Sequence, residues 1–177
     1  MKIQSYTLAD SPFNYAISFP FPRNERNMLQ ESMRSIDLKT PRAILTSLEA
    51  EMAKRLEPEG YVYFRNHPNE CRLWLPDFRN EVDFYNGEKK IAIEVEKSEV
   101  KRVVHAMLKL VNASMTFIPK VKYGVLVIPE VYARHSRKIS PFFSRVKKEL
   151  PFYFQKIIPY NCNLQDVLII VYTPSLE

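Results

Sequence analysis

Tyr123-Gly-Val-Leu-Val-Ile128 is apolar at every position, so a strand built from it must be covered on both faces. No other segment restricts the fold as much. A strand of this kind lies inside a sheet, and the segment before it supplies the means of reaching it. Val100, Val103, Val104, Met107, Leu108 and Val111 recur at helical spacing, with Lys101, His105 and Lys109 on the opposite face and Ser98 as the N-cap. Upstream again, Lys89-Lys-Ile-Ala-Ile-Glu-Val-Glu-Lys97 alternates with period two, the pattern of a strand with one face on a core. Strand, helix and apolar strand in that order predict a right-handed parallel crossover. Val167-Leu-Ile-Ile-Val171 predicts a second buried strand near the end.

The alternating strand also carries the chemistry. Ile91, Ile93 and Val95 would face the core, while Ala92, Glu94 and Glu96 face away, with the two carboxylates about 7 Å apart. Asp83, in Glu81-Val-Asp-Phe-Tyr85, joins that face if Asn86-Gly87 turns the chain between paired strands. Three acids on one face repel one another unless a cation sits among them, and a few hard oxygen ligands suit Mg²⁺. An Asp followed at a flexible distance by Glu-x-Glu arises about twice by chance in such a chain, so the context of turn, strand, helix and strand carries the reading. The competing reading is a solvated sheet face. Register leaves a further choice open. A two-residue Asn86-Gly87 turn sets Asp83 against Lys90 and leaves Glu94 about 13 Å away, and it places Asp77 opposite Glu96. Either the loop is wider, or Asp77 takes the place of Asp83.

Thr40-Pro41 is a helix start, a hydroxyl N-cap followed by proline in the first turn. Ile44, Leu45, Leu48, Met52 and Leu56 mark the buried face of that helix, which ends at Pro58-Glu-Gly60. Glu49 borders this stripe, either solvated or leaning toward the acids. Tyr61–Phe64 and Cys71–Trp74 read as strands. Residues 1–39, broken by Ser11-Pro12 and Phe19-Pro-Phe-Pro22, are expected to be irregular. Arg23, Arg26 and Arg34 in this extension suit a DNA-contacting arm, a surface extension or a dimer contact equally. Beyond the central strand come Arg134, Arg137 and Lys138, then Ser140-Pro141 opening a helix with Phe142, Phe143, Val146 and Leu150 inward. Arg145, Lys147 and Lys148 point outward. These six cations form either a phosphate-contacting wall or an ordinary charged surface.

At 177 residues the chain should form one domain with a substantial core. Its net charge of +6, despite 20 acidic residues, suits a polyanion held over a metal, although charge alone identifies no partner. Cys71 and Cys162 are a lone, distant pair, most simply two buried thiols of a reducing compartment. His67, His105 and His135 have no ligand spacing, so zinc is not expected. With no apolar h-region at the N-terminus and no run near the ~20 residues of a membrane span, the expectation is a soluble, cytoplasmic protein.

The order helix, three-strand meander, helix, strand resembles the core of the PD-(D/E)xK nucleases. Glu81-Val-Asp-Phe-Tyr…Ile91-Ala-Ile-Glu-Val-Glu96 followed by Tyr123-Gly-Val-Leu-Val-Ile-Pro129 is similar to the BglII and BamHI group of type II restriction endonucleases. The resemblance covers residues 40–173 and leaves 1–39 as an extension. It implies an α/β fold, a restriction-endonuclease-like core with a central mixed β-sheet flanked by helices in the order αβββαβ. It also implies Mg²⁺-assisted phosphodiester hydrolysis in double-stranded DNA, with Asp83 and Glu94 as metal ligands. Members usually carry Lys two residues after the strand acid; this chain has Glu96, which the resemblance places at the third catalytic position, binding the metal and deprotonating the attacking water. Lys97 is one place late and turned to the other face. Asp77 and Glu49 are the lesser metal candidates, and the match at Val82-Asp83-Phe84 favours Asp83. A restriction enzyme of this group implies a homodimer on a palindromic site and a cognate DNA methyltransferase in the same system. A structure-specific repair or mobile-element nuclease, and a DNA-binding or assembly module without catalysis, are the alternatives.

Overall fold

A computed structural model describes residues 1–38, 41–75, 78–97, 99–133, 139–157 and 162–173. In chain order the elements are β1 (Lys2–Tyr6), α1 (Arg23–Arg34), α2 (Pro41–Leu56), β2 (Val62–Tyr63), β3 (Arg72–Leu75), β4 (Phe78–Glu81), β5 (Phe84–Asn86), β6 (Ile91–Val95), α3 (Arg102–Thr116), β7 (Tyr123–Pro129), β8 (Tyr132–Ala133), β9 (Ile139–Ser140), α4 (Phe142–Ile157) and β10 (Asp166–Thr173). Six strands form one mixed sheet in the order β1-β10-β7-β6-β5-β2, while β3–β4 and β8–β9 are separate two-stranded ribbons. The apolar strand β7 lies between β10 and β6 and is parallel to both, as its composition requires. The antiparallel trio is β2–β5–β6, with the β3–β4 ribbon inserted between β2 and β5 in sequence.

Helices cover both faces. On one side Ala92, Leu126, Ile128, Val167 and Ile169 pack with Val103, Met107 and Leu110 of α3 and with Phe142, Val146 and Leu150 of α4. On the other, Ile91, Ile93, Val95, Val125, Val127, Leu168 and Ile170 meet Leu29 and Met33 of α1 and Ile44, Leu48, Met52 and Leu56 of α2. Each large aliphatic side chain withdrawn from water in this way contributes about 1.5–3 kcal/mol. Gly124 lets α3 approach closely, since a Cβ there would lie 3.0 Å from Leu110 Cδ1. Gly60, at φ +81°, ends the turn after α2 in the left-handed region that glycine tolerates.

Several expectations change. The extension is not irregular: β1 pairs antiparallel with β10, from Lys2↔Thr173 to Tyr6↔Ile169, and α1 starts directly after Pro22. The buried carboxylate of Asp166 ties this segment down, accepting the backbone N–H of Leu8 (3.2 Å) and of Phe21 (2.8 Å). Arg26 is a strut within it, donating to Ser5 O (2.8 Å) and pairing with Asp10 Oδ2 (3.0 Å). β6 is buried on both faces rather than half-buried. The stripe of α3 keeps Val103 and Met107 but shifts toward Ala106 and Leu110. Val103, Ala106, Met107, Leu110, Ala113 and Ser114 are buried, while Leu108 is 49% exposed. The helix begins at Arg102 with no side-chain cap, and the suggested caps Ser98 and Thr40 lie outside the described residues, as does the side chain of Leu45. The strand expected over Tyr61–Phe64 is only Val62–Tyr63. Cys71 is buried but Cys162 is only half-buried, and no disulfide joins them. No helix among the described residues is long and apolar enough to cross a membrane.

Candidate metal centre and nuclease active site

β5 and β6 pair as Phe84↔Ile93, Tyr85↔Ala92 and Asn86↔Ile91. The connection is therefore the four residues Gly87–Lys90, not a two-residue turn. Asn86 Oδ1 accepts the Lys89 N–H at 2.9 Å, and Lys90 takes a positive φ of 58°, so the loop closes on an asparagine side chain. This wider loop removes the register conflict. Continued one residue past Phe84↔Ile93, the ladder brings Asp83 beside Glu94. Asp83 Oδ2 accepts the Val95 N–H at 2.7 Å, which fixes its carboxylate at the end of β6. Asp77 lies outside the described residues.

At that end of β6 the sheet opens between α2 and α3 into a cavity of about 340 Å³. Asp83, Glu94, Glu96 and Glu49 line it together with Arg65, Lys97, Arg102, His105 and Lys109. The three acids expected on one site thus share one cavity, and Glu49 leans into it rather than into solvent. Glu94 is only 4% exposed, and Glu49 and Glu96 are buried as well. The carboxylates are therefore enclosed instead of standing on a solvated sheet face.

Three of the four acids are paired. Lys109 Nζ lies 3.2 and 3.0 Å from Glu94 Oε1 and Oε2. Lys97 Nζ lies 2.8 Å from Glu49 Oε1, on the α2 side of the sheet to which alternation turns it. Glu96 Oε2 is 3.6 Å from Arg102 Nε, and its Oε1 accepts the Glu99 N–H at 3.3 Å. Asp83 has no ion pair among the described residues. Burial pushes its carboxyl up to about 6, against the Val95 N–H and the Lys109 charge. Burial, then the charge of Asp83, raises Glu94 well above the usual carboxylate range, and Lys109 opposes both. His105 is lowered by burial and by the neighbouring Lys109 and Arg102 charges, so it stays neutral near pH 7.

The donor set suits a hard divalent cation: several carboxylates, no thiolate, and a single imidazole at the rim. As the side chains stand, no three His, Cys, Asp or Glu among the described residues are close enough to share an ion, and Lys109 holds both oxygens of Glu94. The residues fit Mg²⁺ in kind.

The cavity cations Arg65, Arg102 and Lys109 did not emerge as site residues from the sequence. A signal was present, since Arg102, His105 and Lys109 fall on one helical row at spacings of three and four. The basic wall is only partly described. Arg134, Arg137 and Lys138 lie outside the described residues, while Arg145, Lys147 and Lys148 are exposed on α4 and do not line the cavity.

The sheet, its flanking helices and the acids at the end of β6 define a restriction-endonuclease-type fold. The structure is similar to the crystal structure of the restriction endonuclease BglII complexed with a DNA 16-mer, with a TM-score of 0.59 over 97% of this chain and 78% of that one, at 10% identity. Residues 33–172 match the family described as "Putative halobacteria restriction endonuclease", and the chain belongs to that family. No match is found among curated proteins.

Proposed function

We propose that the protein is an Mg²⁺-dependent endonuclease that hydrolyses phosphodiester bonds in double-stranded DNA, a type II restriction enzyme acting as a homodimer on a short palindrome. The observation that carries this reading is the convergence of Asp83, Glu94 and Glu96 on one cavity in a chain of restriction-endonuclease family and fold.

Asp83 and Glu94 would hold the ion, with Glu49 near enough to the same cavity to orient it through water. The chemistry that Mg²⁺ supplies when bound is charge neutralisation at the phosphate and acidification of water. The Val95 N–H holds one carboxylate oxygen of Asp83, and Asp83 lines the cavity. Glu96, restrained by Arg102 and the Glu99 N–H, would take a proton from the attacking water. Arg65 makes no ion pair among the described residues and lies 5.8 Å from the Phe64 ring centroid. Its guanidinium at the cavity rim suits a DNA phosphate. A second copy follows from the need to cut two strands, and the outward Leu108 and Met115 of α3, with Phe152 of α4, are apolar surface available to it. Residues 1–38 belong to this nuclease unit through β1 and Asp166. A cytoplasmic restriction system with its own methyltransferase is the setting this activity requires.

The test is incubation with plasmid DNA and Mg²⁺, followed by sequencing of the fragment ends; defined ends are expected. Ca²⁺ in place of Mg²⁺ should support DNA binding with little or no cleavage, because its looser coordination and weaker acidity suit it poorly to making hydroxide. Equal turnover with the two ions would count against the mechanism. DNA binding with no cleavage in any metal would replace the reading by a non-catalytic DNA-binding module.

Lys147 and Lys148, solvent-facing on α4, are proposed to contact phosphates. Their joint replacement by Gln should weaken binding to cognate and random duplexes alike, and each lost contact should reduce the log–log salt slope by about 0.9. An unchanged slope would leave α4 with an ordinary charged face.

A further inference from the structure

We propose that Lys109 is the resident counter-ion of this site: its ammonium holds Glu94 in the metal-free protein, and a divalent cation must take Glu94 from it. The inference rests on the metal-dependent reading above and adds a role that neither the family nor the fold assigns. Both oxygens of Glu94 face one Nζ, at 3.2 and 3.0 Å, and the two side chains are 17% and 5% exposed. An ion pair this enclosed is not a surface contact that water readily replaces. Asp83 has no ion pair among the described residues, so Lys109 is the positive charge seen to contact the acid pair at the end of β6.

An ion held by Asp83 and Glu94 would need the Glu94 lone pairs that now face Lys109 and would repel the ammonium. The two cations are therefore alternatives. The backbone of α3 can stay in place during the exchange, because Met107 and Leu110, on either side of Lys109, are locked in the core. The lysine stem carries its charge on a flexible four-carbon chain, so the exchange needs only side-chain rotation into the cavity. Released there, Lys109 lies on the row shared with Arg102 and His105, facing the space a phosphate would occupy. Lys109 is a positioning residue: it holds both oxygens of a buried carboxylate while no metal is present.

The experiment is isothermal titration of the DNA-free protein with Ca²⁺ alone at pH 8, paired with thermal melting in EDTA and in Ca²⁺. Lys109→Met keeps the stem and removes the charge. It is expected to melt lower than wild type in EDTA, to bind Ca²⁺ at least about tenfold more tightly, and to gain more in melting temperature from Ca²⁺. Lys109→Gln, which retains a donor to Glu94, should move in the same direction and serves if the methionine variant does not fold. Lys109→Arg, which keeps the charge, should stay within about twofold of wild type. Equal or weaker Ca²⁺ binding by both neutral variants, with wild type binding normally, would overturn this proposal alone. Absence of Ca²⁺ binding by wild type and variants alike would overturn the metal-site reading, and this proposal with it.

Discussion

Glu94→Gln is expected to lower DNA cleavage by about a thousandfold or more while leaving the fold intact. The substitution removes one negative charge from the place where the ion would sit, and at a side chain only 4% exposed that loss is not made up by water. The fold should survive because glutamine has nearly the same volume and its carbonyl still accepts from Lys109. Burial and the neighbouring Asp83 already penalise the charge of Glu94, so losing it is offset against the lost ion pair. The net stability change should stay within about 1–2 kcal/mol. Lys109, with a long stem and some exposure, can turn its ammonium outward. Plasmid cleavage under conditions that give complete wild-type digestion, with melting curves on the same samples, reads both quantities. Wild-type turnover by the variant, once contaminating nuclease is excluded, would remove Glu94 from the mechanism.

Asp83→Asn should be equally inactive yet more stable than wild type in the absence of metal. The asparagine carbonyl can still accept the Val95 N–H, so the tie at the end of β6 remains while the buried charge goes. The sign follows from the raised carboxyl, at about 6 in the folded protein against 3.8 ordinarily. Between those values the native state binds more protons than the unfolded one, so stability falls as pH rises. The contribution of Asp83 is fully present below about pH 4 and lost as pH rises through about 6. At pH 8 the variant should therefore gain on the order of 2–3 kcal/mol, and its stability should vary less than wild type between pH 4 and 7. Urea midpoints in EDTA across that range measure this. Parallel pH profiles for the two proteins would show that the Asp83 charge is not penalised in the native state. The same proton competes with a divalent cation, so wild-type Ca²⁺ affinity should decline as pH falls below about 6.

Much of the framework was legible because it is encoded locally. The stripe Ile44, Leu48, Met52 and Leu56 has only to repeat every three or four residues to declare α2 and its buried face. Six consecutive positions, Tyr123 to Ile128, able to lie in a dry interior declare β7. The crossover from β6 through α3 to β7 then follows from chain handedness. The acids Asp83, Glu94 and Glu96 were visible for a similar reason, since alternation along a strand assigns side chains to faces without knowledge of what lies beyond them.

What lies beyond them was decided only in three dimensions. Alternation of apolar and charged residues on β6 suggests water on the charged side, but α3 covers that side, and a polar cavity lined by cations produces the same pattern. The helix faces the sheet through Val103, Ala106, Met107 and Leu110, a rotation that keeps Val103 and Met107 of the expected stripe but leaves Leu108 exposed and turns Lys109 from solvent to Glu94. Periodicity cannot distinguish these two rotations, because valines and leucines occur on both stripes and packing against the sheet selects between them. The hairpin register depended on one asparagine side chain closing a four-residue loop, a choice that Asn-Gly alone leaves open. β1 has its partner at the far end of the chain, where Lys2 faces Thr173. Its pairing is fixed by the open edge of β10 and by the three N–H groups that Asp166 gathers, contacts that no local window of sequence contains. The residue types at the site were thus set by the chain itself, whereas their burial, pairing and convergence came from the packing of α2 and α3 over the end of β6.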